Sequence, residues 1–556
     1  MMDESRNSVT ELRWLFSRLA TRDANERARV MSEIEEVGME LSEEESMPNG
    51  TGDGVQIGRT DGSDSGAVIE TTSSKNLAST RFLANVLRLA IQCPFSDIRE
   101  RCKAILRGVK DQGGKIPRQC GTGPSAFIPN PEIQGVENGK DEQVREIFTD
   151  VFVQSQRLDH LTAVMGLHPR YLAAFCRTQD FMLRGNGPLP YDYRHYIAIL
   201  AAARHRCSYV IKLQESEFLA QGGDPKWFQG VEHVPPKLQD LYELIKLLSH
   251  RPWLITQEMI EKLLKGRHSW TLSELVQAIV LIAHFSSLPS FIYGCGINPE
   301  IDMDGGHTLR PPSLSDDAGL SNNNEPTEES AGGNVEELMQ KMKTIEKQTD
   351  MEEETHEEKV KKFEKVREQS GQLQPRNHDC CTEREDIAGF LQDPSFLYED
   401  FARRGENSQI PTFRAQDYTW EDQGFSLVNR YYPDIAPLLD DKLGIAYNMT
   451  YNTMGHKTEV KTLVLRRAIW NYIHSLYGIR HDDYDYGEIN ALLDRQLKTY
   501  IKTIACFPDR TTKHDYDNFW RDFRHSEKVH VNVMVLEARI QASLLYCLRA
   551  IMQHMT

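Results

Sequence analysis

Apolar residues recur at intervals of three and four through most of this chain, while the alternating pattern of half-buried strands is scarce. The first spacing places apolar side chains along one face of a helix, so the chain has to bury helix faces against one another. The sequence therefore predicts an all-α fold. The predicted helices are 142–164, 168–184, 191–221, 236–249 and 271–288 in one block, and 434–454, 463–477, 487–504, 512–524 and 527–553 in the other.

Three residues mark helix ends. Thr271, followed three residues later by Glu274, matches a capping box, in which the hydroxyl and the carboxylate satisfy unpaired backbone N–H groups. Thr462 stands at an expected N-cap. Gly478 stands where a helix commonly ends in the left-handed conformation.

Charge is distributed unevenly along the 556 residues, which include 65 basic and 82 acidic side chains for a formal net charge of −17. Residues 1–80 hold 8 basic and 16 acidic residues, and residues 301–379 hold 10 and 19. These two segments carry the whole excess, because the remaining residues hold 47 of each sign. A net acidic chain of this kind is not a generic nucleic-acid binder, which shows a basic surface.

Each balanced block is long enough for its own core, whereas polar acidic segments are typical of flexible chain. An amphipathic helix is predicted over 8–41 and disorder over 42–78. Residues 335–369 are predicted to form a charged, solvated helix whose apolar seam is too short for a coiled coil. The predicted regions are a largely disordered acidic N-terminal extension (1–80), an N-terminal helical domain (81–300), an acidic, partly disordered linker (301–385) and a C-terminal helical domain (386–556).

The sequence also indicates a cellular compartment. The N-terminus lacks the basic start and apolar run of a secretory signal. The longest apolar stretch, Leu275–Ile297, contains Gln277, His284 and Pro289, so we predict a buried helix and no membrane insertion. Ten cysteines without close repeated spacing suit a reducing compartment and provide no zinc pattern. We expect a cytoplasmic protein, with the nucleus as a second location, and neither metal nor cofactor.

Cys207 is the first candidate for chemistry. It lies beside Arg204, His205 and Arg206, and cationic neighbours stabilise the thiolate that acts as a nucleophile. A peroxide-reducing cysteine also needs a proton relay and usually a second thiol, but Cys207-Ser-Tyr-Val210 is not C-x-x-C. The alternative is a buried cysteine that packs as a small apolar residue.

The second candidate lies in the C-terminal block. Thr450 and Thr453 are spaced i, i+3, so a helix would put both hydroxyls on one face, and Arg466 lies one turn beyond Thr462. A free amino acid requires a guanidinium for its carboxylate, a carboxylate for its ammonium and a dry aromatic pocket. The alternative is an internal Arg–Glu ion pair with ordinary caps. A continuous helix would present the other parts on one face: Trp520, Phe523, Glu527 and His530.

The acidic segment His481–Glu488 separates two predicted helices. Its carboxylates Asp482 and Asp483 have two interpretations. They serve a helix N-terminus, or they offer a charged loop to a basic partner.

Several long runs resemble the sestrins, a family of stress-induced regulators of TOR signalling: YRHYIAI, AAARH, HRPWLIT, PTFRAQDYTWED, LRRAIWNYIH, DDYDYGEIN and FRHSEKVHVN. The resemblance covers residues 81–300 and 386–556. It implies two related helical halves of the alkylhydroperoxidase and carboxymuconolactone decarboxylase fold, joined by a long linker. It also implies a leucine sensor that, without leucine, binds and inhibits a GATOR complex and so restrains TOR kinase.

The resemblance assigns roles to residues of the second candidate site. Arg466 is expected to hold the carboxylate of leucine and Glu527 its ammonium, while Trp520 floors the pocket and the threonines close a lid. Asp482 and Asp483 match positions implicated in GATOR binding. The full set of matched leucine contacts is Thr450, Tyr451, Thr453, Thr462, Leu465, Arg466, Trp520, Glu527 and His530.

The resemblance also bears on the first candidate. Cys207 matches the proposed peroxidase cysteine of the family, and Tyr209 matches a neighbouring residue. Gln214 stands at the proton-relay position and Val210 at the second cysteine of bacterial alkylhydroperoxidases, so two parts of that site are missing. The leading hypothesis is therefore a ligand-gated signalling protein. The alternatives are a thiol-dependent alkyl hydroperoxide reductase and a helical adaptor without either site.

Overall fold

The computed structural model confirms the all-α prediction. The described residues are 12–46, 66–117, 123–136, 139, 141–303, 335–348, 355–373, 385–403 and 410–556. Within them the only strands are two-residue pairs. Phe413–Arg414 pairs in parallel with Ile479–Arg480, and Thr453–Met454 pairs antiparallel with Lys457–Thr458.

One compact unit comprises Met1–Pro124, Ile133–Pro169 and Pro299–Asp304. Its core is formed by fully buried apolar side chains such as Leu19, Val30 and Val86. The helix that begins at Gly66 covers part of the stretch predicted to be disordered, and residues 47–65 of that stretch lie outside the described residues. The described helices of this unit are 12–17, Ala24–Ser46, Gly66–Gln92, Ser96–Asp111, Glu142–Ser155 and His160–Met165.

The second unit comprises Ser125–Glu132, Arg170–Asn298 and Gly305–Thr556. These boundaries differ from the four regions expected from the sequence, because parts of both predicted domains belong to this one unit. Its longer helices are Pro169–Arg184, Tyr191–Ala203, Ser208–Ala220, Tyr242–His250, Gln257–Lys265, Leu272–Gly294, Val335–Gln348, His356–Gln372, Ala436–Asn448, Leu463–Leu476, Arg495–Cys506 and His525–Met555. Its shorter helices are Pro236–Gln239, Glu385–Ala388, Phe425–Tyr431, Gly487–Leu492 and Lys513–Asn518.

Two helices pack against each other at the centre of this unit, Leu272–Gly294 and His525–Met555. Both helices are long and apolar enough to cross a membrane. However, 100% and 94% of their most apolar 18-residue segments are buried inside the protein. The prediction of a buried helix from Leu275 onwards agrees with this burial. The predicted capping box of Thr271 and Glu274 is also confirmed.

An ion pair without solvent exposure joins distant parts of the second unit. The Lys442 ammonium donates to both carboxylate oxygens of Glu537 at 2.8 and 2.9 Å, and the Tyr171 hydroxyl donates to the same carboxylate at 2.6 Å. Each charge has been removed from water, so the hydrogen bonds have to offset a desolvation penalty of several kcal/mol per ion. The helix Ala436–Asn448, which leads into the candidate site, is thereby fixed to the C-terminal helix.

Several predicted helices are interrupted where the backbone changes direction, among them 142–164, where Gln156 is left-handed (φ 64°), and 236–249. The predicted helix 191–221 is two helices, because Arg206 adopts a left-handed conformation (φ 53°) between them. The predicted helix 487–504 is likewise two helices. The predicted helix 434–454 ends at Asn448, and a hairpin follows, in which Asn452 (φ 53°) and Gly455 (φ 59°) turn the chain.

The prediction of a solvated helix over 335–369 is wrong. The segment forms two helices, Val335–Gln348 and His356–Gln372, whose apolar residues are buried against the C-terminal part of the second unit. The ring of Phe363 packs edge-on against Tyr486 at 4.9 Å, and Lys362 donates to Asp485 at 2.9 Å. The apolar seam that is too thin for a coiled coil is enough to dock these helices.

Candidate ligand-binding site

A small cavity in the second unit brings together side chains from three segments. The first segment is the loop and hairpin after helix Ala436–Asn448, the second is the start of helix Leu463–Leu476, and the third runs from Trp520 into helix His525–Met555. The nine residues expected to contact leucine all line this cavity: Thr450, Tyr451, Thr453, Thr462, Leu465, Arg466, Trp520, Glu527 and His530.

Arg466 provides the positive charge of the cavity. Only 8% of the residue is exposed, and burial lowers the pKa of its guanidinium. Its Nη1 donates to the carbonyl of Tyr447, and its Nε donates to the Thr462 hydroxyl at 3.3 Å. Both acceptors are neutral, and no acidic side chain among the described residues forms an ion pair with it. A buried cation without a counter-charge favours the entry of an anion such as a carboxylate.

Glu527 provides the negative charge. Its carboxylate accepts from the Thr453 hydroxyl at 2.9 Å, from the Gly455 amide at 3.0 Å and from the Arg524 amide at 2.9 Å. These bonds cap the C-terminal helix and hold the hairpin to it. The alternative of an Arg466–Glu527 ion pair is not observed, because the two groups bind different partners.

The two threonines are positioned by a loop and a hairpin rather than by a helix. The Thr450 hydroxyl lies 2.9 Å from that of Thr462, while Thr453 belongs to a strand and bonds Glu527. The predicted i, i+3 helical face is therefore wrong. Thr462 occupies the N-cap position without a cap hydrogen bond, since its hydroxyl serves Thr450 and Arg466 instead. Residues 449–462, including the exposed Tyr451, cover the cavity and are here called the lid.

The apolar part of the cavity begins at Trp520. This residue is in a left-handed conformation (φ 47°), and its ring stacks on Phe523 at 4.2 Å. Since Trp520 precedes helix His525–Met555, the prediction of one continuous helical face is wrong. Four buried residues that sequence reasoning missed line the same cavity, namely Met454, Ile469, Val531 and Met534. Their apolar character alone gave no signal that separates them from core residues.

The cavity has a volume of about 40 Å³. This is room for a few water molecules, whereas small-molecule pockets commonly measure about 300–1,000 Å³. The bond from the Thr453 hydroxyl to Glu527 holds the lid to helix His525–Met555, and the hydroxyl pair Thr450–Thr462 joins the two ends of the lid. Entry of an amino acid therefore requires the lid to move.

Cys207 lies in a different environment from the one its sequence neighbours indicated. It is fully buried at the N-terminus of helix Ser208–Ala220. Burial raises the pKa of the thiol to about 12, although the backbone amides of Val210 and Tyr209 act in the opposite direction. The Arg204 guanidinium donates instead to the carbonyls of Gln392 and Phe396. Of the two interpretations of Cys207, the buried packing cysteine describes this geometry.

The positions around Cys207 are equally buried. Tyr209 and Val210 are each 2% exposed. Gln214, at the relay position, lies 2.8 Å from Nδ1 of His195. Cys207 and the three positions that the family resemblance names beside it are therefore all buried.

Asp482 and Asp483 differ in their partners. Asp482 accepts from Arg414 and from Arg480, each at 2.7 Å. Burial acts to raise the pKa of its carboxyl, but these guanidinium contacts outweigh it and lower the pKa. Asp483 is exposed, and within the described part of the chain it accepts only a long 3.5 Å hydrogen bond, from Gln416. Of the two, Asp483 is the carboxylate available to a partner.

Comparison with known proteins identifies the family. Residues 123–555 match the family model described as PA26 p53-induced protein (sestrin). The chain is 50% identical to Sestrin-1 of Xenopus laevis over 460 residues, which cover 80% of this chain and 95% of that protein. The chain belongs to the sestrin family.

Two further relatives extend the match to other sestrins. Sestrin-2 of Homo sapiens is 47% identical over 484 residues, 83% of this chain and 99% of its own length. Sestrin-3 of Mus musculus is 48% identical over 478 residues, 82% and 96% respectively. In this sestrin, the described residues contain no group of three or more His, Cys, Asp or Glu side chains arranged to hold a metal ion.

Proposed function

We propose that this sestrin is an intracellular leucine sensor. Without leucine it binds and inhibits a GATOR complex and so restrains TOR signalling in nutrient and stress responses. The observation that carries the proposal is Arg466, a buried guanidinium with neutral acceptors and no acidic partner among the described residues. A leucine carboxylate supplies the missing counter-charge through charge-assisted hydrogen bonds.

The other parts of the cavity suit the remaining groups of leucine. Glu527 presents a carboxylate to the ammonium of leucine. The ammonium would replace the lid donors that this carboxylate now binds, the Thr453 hydroxyl and the Gly455 amide. Trp520, Leu465 and the buried methionines offer an apolar wall for the isobutyl group. A ligand that exchanges bonds with the lid changes the lid's position, which is how binding is coupled to a partner.

The acidic loop lies in the same unit as the cavity and provides the partner surface of the proposal. Asp483 is exposed, and it follows Asp482, which Arg414 and Arg480 hold in place. A loop that is fixed at one carboxylate and open at the next presents a defined charge to a basic surface.

Calorimetry on the full chain tests leucine binding. Leucine should bind the wild type and raise its melting temperature, as a ligand specific for the folded state does. Arg466→Met should weaken leucine binding by at least about thirtyfold and reduce the rise in melting temperature. Arg495→Met, which removes an exposed guanidinium elsewhere in the same unit, is the matched control and should bind like the wild type. Equal affinity in Arg466→Met and the control would overturn the carboxylate assignment.

Co-purification tests the GATOR part separately. Asp483→Asn should weaken capture of the GATOR complex in leucine-free lysate and leave leucine affinity unchanged. If Asp483→Asn captures the complex as well as the wild type does, the acidic loop is not the contact surface.

A further inference from the structure

One helix carries the guanidinium assigned to leucine and also contacts the acidic loop, His481–Glu488. Arg466 and Arg467 are consecutive near the start of helix Leu463–Leu476, and consecutive residues of an α-helix point about 100° apart. Arg466 lines the cavity proposed for leucine, whereas Arg467 lines a different cavity, which the acidic loop also borders. The two guanidinium groups therefore belong to one helix but face two different sites.

Arg467 holds the second half of the acidic loop. Its Nη2 donates to the Glu488 carboxylate at 3.1 Å, and its guanidinium carbon lies 5.3 Å from the centre of the Tyr484 ring. Glu488 is buried, which raises the pKa of its carboxyl, and the charge of Arg467 opposes that change. A buried carboxylate requires such a partner, so Arg467 determines where Glu488 and the loop before it lie.

The same helix holds the first residue of the loop. Nδ1 of His474 lies 2.9 Å from Nε2 of His481, and the two imidazole rings stack at 5.2 Å. Asp482 and Asp483 lie in the sequence between His481 and Tyr484. The helix thus contacts the loop on both sides of the two aspartates, and a displacement of the helix moves both contacts.

At the leucine cavity, the helix is held by a contact that a ligand would replace. Nη1 of Arg466 donates to the carbonyl of Tyr447, at the end of helix Ala436–Asn448. That helix is fixed to the C-terminal helix by the buried ion pair of Lys442 and Glu537. A leucine carboxylate that binds Nη1 therefore removes a bond between a fixed helix and the helix that contacts the acidic loop.

Space beside the helix allows it to move. The cavity that Arg467 lines has a volume of about 570 Å³, and Trp470 and His474 of the same helix line it too. Close-packed interiors resist displacement, but helices that change position between two states move by only about 1–2 Å, for which this space is sufficient. Trp470, in the middle of the helix, donates to Gln541 at 3.1 Å, so the movement is a tilt about this contact.

We propose that Arg467 is a positioning residue that transmits leucine binding at Arg466 to the acidic loop. The proposal rests on the proposed function, because it takes leucine as the ligand and the GATOR complex as the partner. Without leucine, Arg467 and His474 hold Asp483 where the partner binds it. Leucine tilts the helix, Arg467 carries Tyr484 and Glu488 with it, and Asp483 leaves the binding geometry.

Two affinities of the full chain test the proposal: that for leucine, by calorimetry, and that for the purified GATOR complex, with and without saturating leucine. In the wild type, leucine should weaken binding of the complex by about 5–150-fold, the usual range for coupled sites. The double variant Arg467→Met, Glu488→Gln removes both charges, so no buried carboxylate is left unpaired. It should bind leucine and the complex, but leucine should change its affinity for the complex by less than about twofold.

Two control variants separate transmission from simple support of the loop. Arg467→Lys keeps a cation beside Glu488 and Tyr484, so leucine should still weaken binding of the complex. Lys362→Met removes a 2.9 Å hydrogen bond to Asp485 that comes from a different helix, and leucine should still act on it as well. Loss of the leucine effect in Lys362→Met would overturn the proposal, because any weakening of the loop would then have the same result.

The remaining outcomes distinguish this proposal from the proposed function. If leucine weakens binding of the complex equally in wild type and in the double variant, Arg467 does not transmit leucine binding. If the double variant fails to bind the complex at every leucine concentration, Arg467 only supports the loop, and the proposal is overturned too. A wild type that does not bind leucine, or whose affinity for the complex leucine leaves unchanged, would overturn the proposed function itself and this proposal with it.

Discussion

Cys207 and Arg466 are both buried, but the thiol of the first is neutral whereas the guanidinium of the second is charged. The Cys207 thiol is neutral, with its pKa raised to about 12, and its cationic sequence neighbours bind elsewhere. Arg466 stays charged and lacks an acidic partner among the described residues. Residues that are adjacent along the chain therefore need not share an environment in the fold. A charge that the fold leaves unbalanced is the stronger sign of a ligand site.

The largest expected effect concerns the thiol. With a pKa of about 12 in place of 9.0, Cys207 holds about a thousandfold less thiolate near pH 8 than an ordinary cysteine. Alkylation of Cys207 by iodoacetamide in the native protein should therefore be at least a thousandfold slower than in urea. Peptide mapping by mass spectrometry measures the rate. Native labelling at the rate of a free thiol would restore Cys207 as a nucleophile.

The enzyme alternative can be tested in the same terms. Steady-state peroxide consumption by wild type and by Cys207→Ser should be equal, because a neutral buried thiol contributes no turnover. A clear loss of turnover in Cys207→Ser would show that Cys207 reduces peroxide.

The next effect concerns the lid. Thr453→Val removes a 2.9 Å hydrogen bond to Glu527 while keeping the shape of the side chain. If the lid must release Glu527 before leucine enters, the variant should bind leucine faster, since about 1 kcal/mol of closed-lid stabilisation is lost. Stopped-flow fluorescence measures the association rate. Thr499→Val, at a half-buried position of helix Arg495–Cys506, is the control, and equal rates in both variants would contradict the closed-lid interpretation.

The smallest effect concerns the acidic loop. The pKa of Asp482 is lowered in the folded state, so its stabilising contribution is present above its ordinary value of 3.8 and is lost as pH falls through the folded value. Asp482→Asn should cost about 1 kcal/mol of unfolding free energy at pH 7, and the difference from wild type should vanish in acid. Urea unfolding at both pH values measures it. A constant difference would assign the cost to packing.

The sequence predicted the fold class because helical spacing and capping chemistry are local. Gly478 has the expected left-handed φ of 74° after helix Leu463–Leu476. The helix interruptions at Arg206 and at the lid were not predicted, because tertiary contacts determine whether a single residue adopts the left-handed conformation. The residues of the candidate site came from the family resemblance, and only the fold shows that Glu527 serves the hairpin while Arg466 does not pair with it. The residues next to Cys207 in the sequence give no indication that the cysteine is buried.

The central claim is that Arg466 binds the carboxylate of leucine. The most direct measurement compares the affinities of L-leucine and L-leucinamide, which lacks that charge, for wild type and for Arg466→Met by calorimetry. We expect the wild type to prefer leucine by at least about thirtyfold, about 2 kcal/mol, and Arg466→Met to lose the preference. A preference of equal size in both proteins would contradict it.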